Sequence, residues 1–278
     1  MGRIWTSRFR AIIRVSLCLV AAVTLGNAQQ ANHASLPFER GEELIYQAEF
    51  TRALLRGVDV GEFHFTVSTP NPNSNTTGQN LQLIGDVVSK GLFPRIAGFR
   101  FHTHVESVVD PEQFTALHTS KLDEQGKRVR SSEAVFDHER RKVTWTERDP
   151  NQSQAARVNE VDFTEPIQDV LTMIYFLRIQ NLEPGKSFEV PLTDSGRVYR
   201  FSINVKERKR IKTAVGNVSA LRVEPFIFGD NGLIKSRGSL SIWVSEDSRH
   251  LPVKAQLKIE LGTFDITLRK VSYREANH

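Results

Sequence analysis

Cysteine is nearly missing from this 278-residue sequence. The one example, Cys18, lies inside an apolar run at residues 15–25 (VSLCLVAAVTL), behind Arg3, Arg8, Arg10 and Arg14. A basic start, a short uncharged core and the small-residue end Gly26-Asn27-Ala28 form the layout of a secretory signal peptide, and cleavage is expected after Ala28. An uncleaved anchor is the competing reading, but the run falls short of the ~20 apolar residues that span a bilayer. A lipid-anchored cysteine wants a small residue before it, and Leu17 is not small. A chain cut after Ala28 has no cysteine, which excludes disulfides, thiol catalysis and thiolate metal sites from it.

A real charge imbalance is missing too. The chain has 37 Lys+Arg against 32 Asp+Glu. Four of the bases and none of the acids fall in residues 1–28, so their removal leaves 33 bases against 32 acids. Overall charge therefore gives no argument for a nucleic-acid partner. Beyond residue 28 no segment is apolar and long enough to cross a bilayer, so no membrane span is expected after cleavage. Catalytic signatures are also absent: there is no Gly-x-Ser-x-Gly elbow, no His-Glu-x-x-His and no glycine-rich phosphate loop. No cofactor is implied. A pair of carboxylates in a β-barrel needs no local motif, so an enzyme acting on sugars remains an alternative.

What is present is period-two alternation. Residues 29–40 read as a flexible leader and residues 41–275 as a single β-rich domain. Leu44, Tyr46 and Ala48 alternate with Ile45, Gln47 and Glu49; Phe63, Phe65 and Val67 alternate with His64, Thr66 and Ser68. Such alternation marks strands with one face dry. Residues 70–80 carry no apolar side chain and read as an exposed loop. Further strands are expected near 81–89, 99–109, 114–122, 128–137 and 141–147. From residue 238 the pattern resumes as a hairpin, with Leu240, Ile242 and Val244 on one side and a polar turn at 246–250. The helical exception is residues 165–181. Thr164 can cap it, Pro166 suits its first turn, and Val170, Ile174 and Leu177 form its central stripe. The expected fold is mainly β: large curved antiparallel sheets, as an open barrel or a sandwich, with one main helix packed against them.

These landmarks resemble a bacterial family of exported proteins known as domain of unknown function 3108. The opening GEELIYQAEF at 41–50 and Val60-Gly61-Glu62-Phe63 resemble its first two strands. IQDVLTMIYFLR at 167–178 resembles its helix, with Asp169, Tyr175 and Arg178 in the motif positions. SIWVSEDSRHLPVKAQLKIELG resembles its final signature, which includes Trp243, Asp247 and Pro252. The resemblance implies a bacterial envelope protein, periplasmic or secreted, and no reaction. The last hairpin is more faintly similar to periplasmic lipid-carrying half-barrels, an analogy of fold alone.

Several residues are candidates for a site. Asp169, Tyr175, Arg178, Trp243, Asp247 and Pro252 are ligand-binding candidates through the motif. Asp169 also suits the start of a helix dipole, and nine residues separate it from Arg178, too far round the helix for the two to pair. Trp243 either lines a concave surface or is covered by the helix or a loop. His102, His104 and Glu106 project from one face of a strand and could together hold a metal, although a solvated face has the same spacing. The basic run at 206–212 reads as a solvated strand-turn junction, with anionic head groups or acidic glycans as the alternative. The leading reading is a non-catalytic binding or scaffold protein whose partner is a lipid or envelope polymer. The alternatives are an enzyme acting on envelope polysaccharide and a structural assembly partner that pairs through a sheet edge.

Overall fold

The computed structural model describes residues 36–70, 79–92, 94, 98, 100–152 and 154–274. The expected signal peptide at 1–28, and most of the polar loop at 70–80, lie outside the described residues.

Among the described residues, fourteen strands form one antiparallel sheet. They are β1 (Glu42–Arg52), β2 (Leu55–Ser68), β3 (Leu81–Ser89), β4 (Phe101–Asp110), β5 (Thr115–Gln125), β6 (Arg128–Asp137), β7 (Lys142–Arg148), β8 (Arg157–Asp162), β9 (Ser187–Asp194), β10 (Arg197–Thr213), β11 (Gly216–Pro225), β12 (Gly238–Ser245), β13 (Pro252–Ile259) and β14 (Gly262–Tyr273). Each strand pairs with its sequence neighbour, except that β8 and β9 stand at the two ends and β1 joins β14. The sheet is therefore a meander closed in the middle by its first and last strands. It is a single curved sheet rather than the two layers of a sandwich, and no ladder joins β8 to β9.

The two ends nevertheless approach each other. Gly196, in the β9–β10 turn, has φ +70°, and a Cβ there would stand 2.8 Å from the Cβ of Asn159 on β8 and 3.2 Å from the Trp145 ring on β7. Only a residue without a side chain lets the turn come this close. The chain between β8 and the helix completes the contact. Gln168 donates its N–H to the Pro191 carbonyl at 3.0 Å and accepts from the Thr193 N–H at 2.8 Å, while its side-chain amide donates to the Phe114 carbonyl at 2.7 Å.

That strand-like pairing corrects the expected helix start. Residues 166–168 are not helical, and helix α1 runs Val170–Ile179, without a cap from Thr164 or a first turn at Pro166. Asp169 is the cap. Its Oδ1 accepts from the Thr172 N–H at 2.8 Å, and the Thr172 hydroxyl accepts from the Asp169 N–H at 2.8 Å. This reciprocal box satisfies two backbone donors that a helix start leaves open.

The helix lies against the sheet with different side chains serving different walls. Leu171 and Tyr175 join Val67, Leu83, Val109 and Phe114 of the β2–β5 region. Met173 and Leu177 join Val190, Phe201, Val223 and Val244 of β9–β12. The expected central stripe is thus displaced: Val170 is 41% exposed, Ile174 half-buried, and only Leu177 is fully enclosed. The expected flexible leader also ends earlier than residue 40, since Phe38 is buried against Phe114 and Tyr175.

Candidate functional site

Two places gather the residues of interest: a buried polar centre at the end of α1, and a cleft at its beginning.

At the buried centre, Arg178 and Glu42 are both wholly enclosed and meet by two hydrogen bonds, Nη1 to Oε1 at 2.5 Å and Nη2 to Oε2 at 2.9 Å. The guanidinium also donates to the carbonyls of Arg249, from Nε at 3.2 Å and Nη2 at 3.0 Å, and of Pro37 at 3.0 Å. Its flat face lies 4.8 Å from the centre of the Phe38 ring and 5.5 Å from that of Tyr175. In return His250 Nδ1 lies 2.7 Å from the Arg178 carbonyl. Three separate sequence motifs therefore meet on one side chain: the first strand through Glu42, the helix through Arg178, and the last hairpin through residues 249–250. A buried charge needs this density of partners. Arg178 does not pair with Asp169, as the helical spacing predicts.

Tyr175 and Tyr46 flank this ion pair with hydroxyls that have no hydrogen-bond partner among the described residues. Burial pushes both phenols well above their ordinary range; the nearby Arg178 works against the rise and Glu42 with it.

The other motif residues build the last hairpin. Asp247 accepts from the Ser245 hydroxyl at 2.6 Å and from Arg249 at 2.7 Å, and Ser245 Oγ accepts from the Leu251 N–H at 2.8 Å. Burial works against ionisation of Asp247, but the bonds from Ser245 and Arg249 outweigh it and hold its carboxyl below the usual value. Pro252 opens β13. Trp243 is buried and does not line the cleft at the start of α1. A register shift in β12 between Trp243 and Val244 accompanies its packing with Ile211, Ala220, Leu251, Val253 and Leu268, where β10 approaches β13 and β14. Of the two alternatives, Trp243 is thus the covered one, enclosed by strand residues and by Leu251 of the adjoining loop. Lys254 lies 5.7 Å from the centre of its ring.

His102, His104 and Glu106 do share one face of β4, and that face is half-exposed. Each imidazole is committed to carboxylates. His104 Nδ1 lies 2.8 Å from Asp86 and its Nε2 3.0 Å from Glu106; His102 lies 3.2 Å from both Asp86 and Glu124. Gln82 donates to the second oxygen of Glu106 at 2.8 Å. These three side chains form a hydrogen-bonded surface ladder with Asp86, Glu124 and Gln82, and among the described residues no group of three or more His, Cys, Asp or Glu is arranged to hold a metal ion.

The basic run at 206–212 forms the mostly exposed last part of β10, up to the hairpin turn into β11, as a solvated strand-turn junction should; a register shift separates Val205 from Arg208. Arg208 pairs with Glu246 at 2.7 Å and Glu207 with Arg222 at 2.9 Å. The hydrogen bond from Arg222 lowers the Glu207 carboxyl to about 2.

The cleft has a volume of about 260 Å³ and lies between the first turn of α1 and strands β2–β7. Phe63, Phe65, Val87, Val105 and Trp145 form its sheet side; Val170, Leu171 and Ile174 form its helix side. Gly85 leaves room there, since a Cβ would stand 3.3 Å from both Leu171 Cδ1 and Phe65 Cε1. Asp169 reaches this wall, and its Oδ2 accepts from the Thr119 hydroxyl at 2.5 Å. Lys121 and Asp194 add charges that have no ionic partner among the described residues, whereas Glu133 is paired with His118 at 2.6 Å. Of the six ligand-binding candidates, only Asp169 lines the cleft. Phe63 and Phe65 were readable as inward-facing from alternation; Trp145, Thr119 and Lys121 were not, because nothing local shows which six strands will lie side by side.

A long curved sheet around an internal helix defines the chain as a β-barrel-like protein. It belongs to the family described as "Protein of unknown function (DUF3108)", which matches residues 45–269. Among solved structures, a β-barrel-like protein of domain of unknown function DUF1849 from Brucella abortus aligns with a TM-score of 0.55 and 11% identity, over 86% of this chain and 100% of that one. A protein with a YmcC-like fold from Bacteroides fragilis gives a TM-score of 0.34 at 8% identity, over 85% of this chain and 98% of its own. Comparison with curated proteins finds no match. The likeness to the Brucella protein shows the fold; it carries no activity.

Proposed function

We propose that this chain is an exported, non-catalytic binding protein of the bacterial envelope whose cleft takes the apolar part of a lipid or another amphipathic envelope component. The observation that carries this reading is the cleft itself: about 260 Å³, with a surface that is mainly apolar and a rim of polar side chains that includes Thr119, Lys121, Asp169 and Asp194. That balance is the usual make-up of a small-molecule site. The volume exceeds the roughly 150 Å³ that holds a benzene ring and falls below the ~300 Å³ of ordinary ligand pockets. It suits a segment of acyl chain or one ring, with the rest of the ligand outside. The export part rests on the basic start, apolar run and small-residue end within residues 1–28, and among the described residues no helix is long and apolar enough to cross a membrane. Asp169 spends both carboxylate oxygens on Thr119 and Thr172, which suits a structural carboxylate better than half of a catalytic pair.

The test is native mass spectrometry and solvent extraction of protein purified from a bacterial periplasm. A co-purifying amphiphile is expected, and Val87→Trp, which enlarges a cleft-lining side chain, should abolish it. Protein that carries no lipid and leaves a hydrophobic fluorescent probe unbound would end this reading.

A further inference from the structure

Among the described residues, the exposed leucines and the exposed phenylalanine gather on one rim of the sheet. In an antiparallel meander, alternate turns fall on the same rim of the sheet. The register places the β1–β2, β3–β4, β5–β6 and β13–β14 turns and the β11–β12 loop on one rim, through the pairs Thr51↔Thr263, Arg52↔Leu55, Val88↔His102, Gln125↔Arg128 and Gly238↔Ile259. On that rim stand Leu54, 99% exposed, and Leu55, Leu92, Phe226 and Leu261 at 40–61%. Among the described residues, every exposed leucine or phenylalanine is there; the exposed large apolar residues elsewhere are valines and Tyr273.

Bases surround them. Arg52, Arg56, Lys127, Arg128 and Lys258 are exposed on the same turns and strand ends, and none has an ionic partner among the described residues. The exposed acids beside them are Asp230 and Glu260. Leucines at turn tips with an unpaired basic collar match the interface of an anionic bilayer, where apolar tips enter the head-group boundary and cations meet phosphates. We propose that this rim docks the protein, peripherally and reversibly, onto a membrane surface rich in anionic phospholipid. The proposal does not depend on the cleft's being a ligand site.

The experiment is flotation of the purified full chain with vesicles of phosphatidylethanolamine and phosphatidylglycerol, and with vesicles of phosphatidylcholine alone. The chain is expected to float with the anionic vesicles, to float at least tenfold less with the neutral ones, and to be released by high salt. L54E/L55E should cut anionic-vesicle binding at least tenfold with an unchanged thermal midpoint. V215E, at the β10–β11 turn on the opposite rim, should leave it intact. No binding to anionic vesicles, or equal binding by L54E/L55E, overturns the proposal. So does a concentration-dependent dimer that L54E/L55E abolishes, since the rim would then serve a second copy of the chain.

Discussion

Arg178 shows how much of this protein depends on single side chains. Its guanidinium bridges Glu42 and the backbone at Pro37 and Arg249, with no water-exposed surface on either member of the ion pair. Removing one member of a buried pair leaves the other charge without compensation, at a cost of about 3–5 kcal/mol. R178M should therefore lower the unfolding free energy in urea by about that amount; a loss below 1 kcal/mol would mean the centre relaxes or admits water. His104 sets a second expectation at this scale. Burial works to lower its pKa, but the hydrogen bonds to Asp86 and Glu106 outweigh this and raise it above the ordinary 6.5. A raised folded value means that its contribution to stability is complete below pH 6.5 and is lost as the pH climbs through the folded value. Asp86 is shifted the other way, held below 3.8 by the same histidines against the effect of its own burial, so its contribution is present above pH 3.8 and lost on acidification. The ladder should add most between these limits. The thermal midpoint of H104Q is expected to fall less than that of the parent between pH 6 and 8; parallel curves would dismiss the ladder's role.

At the scale of the element, α1 differs most from its sequence reading. Helical spacing made Ile174 the centre of an apolar stripe, and a charge there would be expected to unfold the protein. In the fold, Ile174 faces the cleft, while Leu177 is enclosed by strands β9–β12. Leu177→Ala should cost about 2–5 kcal/mol, as enclosed leucines do, while Ile174→Asp should cost clearly less in chemical denaturation and should eliminate probe binding in the cleft. The reverse order of stabilities would restore the sequence reading. The capping box gives a smaller effect. Asp169→Ala removes an N-cap, worth about 0.5–2 kcal/mol, and it also takes away the acceptor of Thr119.

At the scale of the molecule, the ends of the sheet meet without a ladder, and Gly196 sits at that seam. Its φ of +70° and its 2.8 Å approach to Asn159 mean that any side chain meets both a backbone penalty and a steric one. The left-handed conformation alone costs an L-residue about 1–2 kcal/mol. Gly196→Ala should lower the thermal midpoint and loosen amide protection in β8 and β9 before other strands; uniform protection across the sheet would show that the seam is not a separate unit of stability.

The sequence by itself determined the local part of this account. Period-two alternation is a property of consecutive residues, so β1, β3 and β6 and the dry faces carrying Leu44 and Phe65 could be read from it. The helix was legible in kind, because an apolar run with helical spacing follows Thr164 and Pro166 and stops before Pro184-Gly185, and the motif residues were legible as a set. Their roles were not. Glu42 and Arg178 are 136 residues apart in the chain, and pairing over such a distance has no local signature. Helix length was also a tertiary matter: the backbone of Gln168 is hydrogen-bonded to β9 and cannot join the helix. The curvature that turns fourteen strands into one sheet around α1, the cleft it leaves beside Trp145, and the gathering of exposed leucines on one rim all follow from which strands lie side by side. That order is fixed by long-range pairing, above all β1 with β14, and only the folded chain contains it.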